Sequence, residues 1–137
     1  MRWTPNRVVA LYLGLALFFL GVLGLFAVPT LQEGSWTFYK LDLIMDLVHV
    51  VTGAIGILAV FTNWSRLYNR ICGIFYILLG ILGLIPIMYF NGHKLLGVTH
   101  ANLALNLSHV ALGLAALVFG FFITMYGVWT TSARTAL

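Results

Sequence analysis

Four long runs of apolar residues, separated by short polar segments, make up most of the chain. They cover about residues 8–28, 43–61, 71–90 and 103–129. An α-helix needs roughly 20 apolar residues to cross a hydrocarbon core about 30 Å thick, and each run meets that length. The pattern therefore predicts an all-α integral membrane protein, a bundle of four transmembrane helices in a single membrane domain, residues 1–137.

Composition agrees with a membrane environment. Hydrophobic residues form 62% of the 137 residues and charged residues 7%, which lies far from the proportions of soluble globular domains. The formal net charge of +4 does not indicate nucleic-acid binding, because the basic residues form no cluster with interleaved aromatic residues. We expect the location to be a lipid bilayer, either a plasma membrane or a photosynthetic membrane.

The basic residues divide by type between the two ends of the predicted bundle. The arginines fall on one side and the lysines on the other: Arg2, Arg7, Arg66, Arg70 and Arg134 against Lys40 and Lys94. Cytoplasmic loops of membrane proteins carry the excess of basic residues. This distribution predicts that both termini are cytoplasmic.

Glycine and polar residues recur at a nearly constant spacing. In the first and third helices, Gly14, Gly21 and Gly24 reappear 59 residues later as Gly73, Gly80 and Gly83. In the second and fourth helices, Asp46, His49 and Gly53 reappear 60 residues later as Asn106, His109 and Gly113. The chain is predicted to consist of two tandem parallel two-helix repeats, about residues 6–61 and 65–121. We expect all eight glycines to serve helix packing, because small residues let membrane helices approach closely.

The recurring polar residues predict a cluster inside the bundle. A D/N-x-x-H-x-x-x-G pattern places its three marked residues on one helical stripe, and polar side chains within a membrane usually face the bundle interior. In one interpretation these residues form a polar clasp. Asp46 bonds either His109 or His49 of the same helix, and Asn106 makes the corresponding bond from the other repeat. Such a clasp would fix the register between the two halves.

Two alternatives give the histidines a chemical role. His49 and His109 are candidate cofactor-binding residues, as axial ligands of haem or of a chlorophyll-type pigment, because opposed histidines in a helix bundle suit such a ring. Alternatively, Asp46 and the histidines form a proton relay, since histidine titrates near neutral pH. A relay of these residues would stop short of the cytoplasm, because the inner half of each span lacks a carboxylate.

No catalytic or metal site is predicted. His93 and His100 lie in the loop before the fourth helix, where we expect exposed histidines, and their spacing of seven does not match a compact zinc site. The H-E-x-x-H, G-x-S-x-G and phosphate-loop motifs are all absent from the sequence. Enzymatic activity is therefore not expected.

The repeated Asn/Asp-x-x-His-x-x-x-Gly helices, Asp46 to Gly53 and Asn106 to Gly113, flank an arginine-led, glycine-rich helix from Arg70 to Gly83. This arrangement resembles the bacterial four-helix membrane family called domain of unknown function 4383. The resemblance implies the four-span architecture and implies no reaction.

A small bundle offers mainly its lipid-facing surface for recognition. The first expectation is therefore a non-enzymatic accessory or stabilising subunit of a larger membrane complex. The alternatives are a haem- or chlorophyll-binding subunit of an electron-transfer or light-harvesting complex, and, third, a small transporter or proton relay.

Overall fold

A computed structural model describes residues 3–27 and 42–123. Four α-helices follow one another: α1 (Pro5–Ala27), α2 (Leu43–Phe61), α3 (Ser65–Gly83) and α4 (Leu103–Leu117), the last continued by a π-helical segment, Val118–Ile123. With that segment included in α4, all four helices are long and apolar enough to cross a membrane. The fold is therefore an all-helical, multi-pass membrane bundle.

The helix ends follow local sequence signals. Pro5 opens α1, where the missing N–H of proline costs nothing, and the Thr4 hydroxyl accepts a hydrogen bond from the Arg7 N–H (3.3 Å). Asp42 and Asn102 cap α2 and α4 with their side-chain oxygens. The bounds of α2 are those of the predicted span, and α1 begins three residues before its predicted start at residue 8.

The third predicted span, residues 71–90, is wrong in its bounds, since α3 runs from Ser65 to Gly83. Its first turns contain polar residues and therefore fall outside the apolar run, although Ser65 and Asn69 are buried and the Ser65 hydroxyl donates to the Ala59 carbonyl (2.7 Å). The helix ends before Pro86, which cannot continue it. Residues 124–129 of the fourth predicted span lie outside the described residues.

Between α3 and α4 the chain forms a compact cap on one end of the bundle. A 3₁₀ turn (Pro86–Met88) leads into a short antiparallel hairpin of β1 (Tyr89–Phe90) and β2 (Lys94–Leu95). Asn91, Gly92 and His93 in its turn have positive φ, which a tight reversal of this kind requires. The cap brings His100 and Asn102 to the start of α4.

The helices pack chiefly as two pairs, α1 with α2 and α3 with α4. Glycines make each pair close. A Cβ atom on Gly14 would lie 2.9 Å from the Gly53 carbonyl oxygen, and one on Gly73 would lie 2.8 Å from the Gly113 carbonyl oxygen. The remaining predicted packing glycines, Gly21, Gly24, Gly80 and Gly83, also lie against the partner helix of their pair. Small residues here allow backbone-to-backbone contact, which drives helix association in lipid.

Candidate functional site

Two histidines meet at the centre of the bundle. The Nε2 atoms of His49 in α2 and His109 in α4 lie 3.2 Å apart, within hydrogen-bond distance. Each residue is 2% exposed. This contact joins the two helix pairs, because each histidine comes from a different pair.

A tyrosine from α3 completes the centre. The Tyr76 ring is stacked on His49, with 6.0 Å between centroids, and is tilted against His109 at 5.1 Å. Its hydroxyl forms a hydrogen bond of 2.8 Å with Thr52 Oγ1, and Thr52 in turn donates to the Val48 carbonyl (2.7 Å). Tyr76 is fully buried, so the two imidazoles and the phenol form one enclosed group.

Further polar groups extend from this centre toward the end of the bundle where α3 begins. Tyr68 and Cys72 precede Tyr76 at intervals of four residues on α3, and all three are buried. The Tyr68 hydroxyl lies beside the Cys72 thiol and against Gly56 of α2. One turn away, the Asn69 amide donates to Asn6 Oδ1 of α1 (2.9 Å). Polar side chains, none of them a carboxylate, therefore continue into the half of the bundle where α3 begins.

At the opposite end, Asp42 holds the capping segment onto the bundle. One carboxylate oxygen accepts hydrogen bonds from the Ile44 N–H (3.1 Å) and the Thr99 hydroxyl (2.9 Å). The other accepts the His100 N–H and lies 3.0 Å from His100 Nδ1. Burial by itself raises the pKa of Asp42, but the hydrogen bonds from His100, Thr99 and Met45 outweigh it and hold the pKa below its ordinary value of 3.8.

The expectation of an exposed loop histidine is wrong for His100, because its ring bonds the Asp42 carboxylate that caps α2. His93 does lie in the exposed turn of the hairpin.

The predicted clasp between Asp46, Asn106 and the histidines is also not the arrangement found. Asn106 bonds within its own helix pair, since its amide donates to the Gly83 carbonyl and to the Tyr89 hydroxyl (3.0 Å). The Asp46 carboxyl group lies correspondingly against Gly24. Because Gly24 and Gly83 have no side chain, the Asp46 and Asn106 side chains can pack against the paired helix. The histidines then contact each other instead.

We call this series of polar residues the polar column: Asn6, Asp42, Asp46, His49, Thr52, Tyr68, Asn69, Cys72, Tyr76, Asn106 and His109. Several of its buried polar atoms have no hydrogen-bond partner among the described residues. They are Asp46 Oδ2, His49 Nδ1, Tyr68 Oη, Asn69 Oδ1, Asn106 Oδ1 and His109 Nδ1. Buried polar groups in folded proteins are almost always bonded to protein or to ordered water. We therefore expect internal water molecules at these positions.

A macrocyclic cofactor does not fit between the histidines as they are arranged. A metal with an imidazole on each face separates the two nitrogens by about 4 Å, because a metal–nitrogen bond is about 2 Å. The Nε2 atoms are closer than that and contact each other. The space beside Gly53 and Gly113 is likewise filled, by the Gly14 and Gly73 carbonyls. Among the described residues, no group of three or more His, Cys, Asp or Glu side chains could hold a metal ion.

Asp42, Asn102 and Tyr76 were missed as contributors when the sequence alone was considered. Asp42 and Asn102 also stand 60 residues apart, and their shared capping role extends the repeat by one turn. That signal was available. Tyr76 has no such signal, since the residue 59 positions earlier is Leu17, and only packing brings its ring to the histidines.

Comparison with known proteins places the chain in a family. A family model described as a domain of unknown function (DUF4383) matches residues 7–122. No curated protein and no solved structure gives a significant match. The matched region contains α2, α3, α4 (Leu103–Leu117) and all of α1 but Pro5 and Asn6, and it includes every residue of the polar column but Asn6. The protein is thus a member of the family called domain of unknown function 4383.

Proposed function

We propose that this protein conducts protons through its polar core, with the His49–His109 pair as the central link. The observation that carries the proposal is the direct contact of the two Nε2 atoms, 3.2 Å apart, inside a membrane bundle. Ionisable groups are costly within a bilayer, and where they occur they commonly serve proton or ion pathways. A shared hydrogen bond between two imidazoles is a geometry that can pass a proton.

The groups on either side of the pair support a longer path. Toward the capping segment, Asp46 lies one turn from His49, and Asp42 one turn further, where its partner His100 reaches the surface. Toward the other end, the Tyr76 and Thr52 hydroxyls come first, followed by Tyr68 and then the Asn69–Asn6 pair. In this proposal, internal water bridges the polar atoms that lack a protein partner.

The geometry favours protons over larger solutes. At the centre the histidines touch, and the helices of each pair are in backbone contact at Gly14 and Gly73. A proton crosses such a closure by exchange along hydrogen bonds, whereas a hydrated ion or an organic solute needs an open passage. Transport of larger solutes is therefore not proposed.

The repeat and the orientation belong to the same proposal. Each half places an acid or amide cap, a second acid or amide, a histidine and a glycine in the same order, and each glycine lies against its paired helix. This supports two tandem parallel repeats related by an axis along the membrane normal. The positions of Arg7, Arg66 and Arg70 support cytoplasmic termini, and we propose a bacterial plasma membrane as the host.

Membership of a larger membrane complex stays a prediction, and so does the absence of enzymatic activity. The described helices present apolar side chains outward along their length, which suits contact with lipid as well as with neighbouring proteins.

The test is proton flux into liposomes. We would reconstitute the purified protein with an internal pH-sensitive dye, impose a pH gradient, and balance charge with a potassium ionophore. Wild type should dissipate the gradient faster than protein-free liposomes. The double variant His49→Gln, His109→Gln should not, because an amide keeps hydrogen bonding but cannot accept and release a proton at neutral pH.

His93→Gln is the matched control, because it makes the same substitution in the exposed hairpin turn and should conduct like wild type. Tyr76→Phe keeps the ring packing but removes the hydroxyl that bonds Thr52, so it should slow the flux. Equal conduction by wild type and the double histidine variant would refute the proposal, as would wild-type flux no faster than that of empty liposomes.

A further inference from the structure

We propose that the end of the bundle opposite the capping segment binds an anionic glycerophospholipid. Its phosphate would occupy a polar recess beside Arg7 and Arg66, and one acyl chain would lie in an apolar groove between α2 and α3. Lipid binding there does not require proton conduction, although Tyr68 lines the groove and also belongs to the proposed proton path.

The recess has the donors that a phosphate needs. It encloses about 290 Å³ and is lined by Thr4, Arg7, Thr62, Asn63, Ser65 and Arg66. Arg7 Nη2 donates to the Thr62 carbonyl and to Asn63 Oδ1, both at 3.3 Å, and Arg66 Nε donates to the Gly120 carbonyl at 3.3 Å. The Gly120 carbonyl is a neutral acceptor, so its bond orients the Arg66 guanidinium without cancelling the charge.

The charge distribution favours an anion at this end. The described residues contain two carboxylates, Asp42 and Asp46, and both lie at the start of α2. The recess lies beyond the other end of that 19-residue helix, whose length is about 28 Å at 1.5 Å per residue. Arg70 adds a third guanidinium at the same end of the bundle as the recess. Its Nε donates to the Gly120 carbonyl, as the Nε of Arg66 does. Arginine is well suited to phosphate, because its planar donors bind oxygen pairs.

An apolar groove begins where the recess ends. It encloses about 750 Å³, within the usual range for ligand cavities, and Thr62 lines both spaces. The groove is lined mainly by aliphatic side chains of α2 and α3, among them Ile55, Leu58, Leu67 and Ile71. Trp64 lies at its polar end and is 67% exposed, as expected for an aromatic residue at the membrane interface.

A cationic recess joined to a lipid-facing apolar groove matches the two parts of an anionic phospholipid. In the proposed orientation this end faces the cytoplasmic leaflet, which carries the anionic lipids that attract juxtamembrane basic residues. A transmembrane helix of another protein would fill the groove but would not need the cationic recess beside it.

Trp64 provides the direct readout. We would reconstitute the protein in liposomes containing brominated phosphatidylglycerol or brominated phosphatidylcholine and measure quenching of tryptophan fluorescence. The contribution of Trp64 is the difference between wild type and Trp64→Phe. It should be quenched preferentially by phosphatidylglycerol. Arg66→Gln should lower that preference about fivefold, the equivalent of roughly 1 kcal/mol for one basic residue at a membrane surface.

Arg66→Gln should fold, because Arg70 still donates to the Gly120 carbonyl (2.9 Å). Lys94→Gln, which removes one positive charge at the opposite end, is the matched control and should leave the preference unchanged. Equal quenching by the two lipids, or a preference unaffected by Arg66→Gln, would overturn the proposal. Displacement of the lipid by inorganic phosphate would also overturn it, because it would show a site for the free ion. Absence of Trp64 quenching by either lipid would show that protein covers the groove.

Discussion

His49 and His109 face each other through the same ring atom, Nε2, at 3.2 Å. In a neutral pair one Nε2 carries the hydrogen and the other accepts it, so the two rings must be opposite tautomers. One Nδ1 is then a donor and the other an acceptor, and both lack a partner among the described residues. The two halves of the chain are therefore chemically different at their point of contact, even where their residues are the same.

This contact predicts energetic coupling between the two histidines. Hydrogen bonds between membrane helices average about 0.6 kcal/mol and reach about 1.7 kcal/mol. A double-mutant cycle of His49→Ala and His109→Ala should give a coupling free energy in that range, because truncating the second histidine costs less once its partner is absent. Unfolding in mixed detergent micelles would measure it. Additive losses in the two single variants would contradict the observed contact.

The close approach of α3 and α4 predicts that Gly113→Ala destabilises the bundle. A Cβ atom there would lie 2.7 Å from the Gly73 carbonyl oxygen and 2.8 Å from the Ile77 backbone nitrogen. Backbone atoms cannot move aside as a side chain can, so we expect a loss of about 1–3 kcal/mol in unfolding free energy.

Ala111→Val, at an exposed position of the same helix, also enlarges a side chain and serves as the control. It should change the unfolding free energy by less than about 0.5 kcal/mol. An equal effect of both substitutions would show that the Gly113 contact is not special.

The Asp42 carboxylate predicts a pH-dependent part of stability. Its folded-state pKa lies below the ordinary value of 3.8, so its stabilisation is complete above that pH and is lost as the pH falls through the folded pKa. Asp42→Asn should keep the helix cap, as Asn102 does in α4, but lose the charged partner of His100. We expect it to cost about 1–2 kcal/mol at pH 7.

Thermal unfolding in detergent at pH 7 and at pH 3 would measure this effect. The difference between wild type and Asp42→Asn should shrink at pH 3, because the carboxylate is then closer to its neutral form, while the amide of the variant is neutral at both pH values. A difference independent of pH would mean that the carboxylate charge contributes nothing to the cap.

The charge distribution predicts a cytoplasmic C-terminus. A reporter that is active only in the cytoplasm, fused after Leu137, should be active, and the same reporter inserted after Gly92 in the hairpin turn should not. Reversal of both signals would refute the proposed orientation. It would also place the recess at Arg7 and Arg66 in the outer leaflet.

The apolar pattern of the chain is enough to predict a bundle of four helices in a membrane. Apolar runs of this length have no other stable form in lipid, because only a helix satisfies its own backbone hydrogen bonds there. The glycine spacing likewise indicated close packing faces. Helix ends were harder to predict from the sequence. The helix α3 starts with buried polar residues such as Ser65 and Asn69, which do not belong to an apolar run.

Which polar groups contact each other depends on how the helices pack in three dimensions. Spacing on one helix shows that Asp46 and His49 share a face, but it cannot show what lies opposite them. That depends on how far the glycines let each pair of helices close. The Asp46 and Asn106 side chains pack against Gly24 and Gly83. The two histidines therefore contact each other, and Tyr76, from a third helix, packs against both rings.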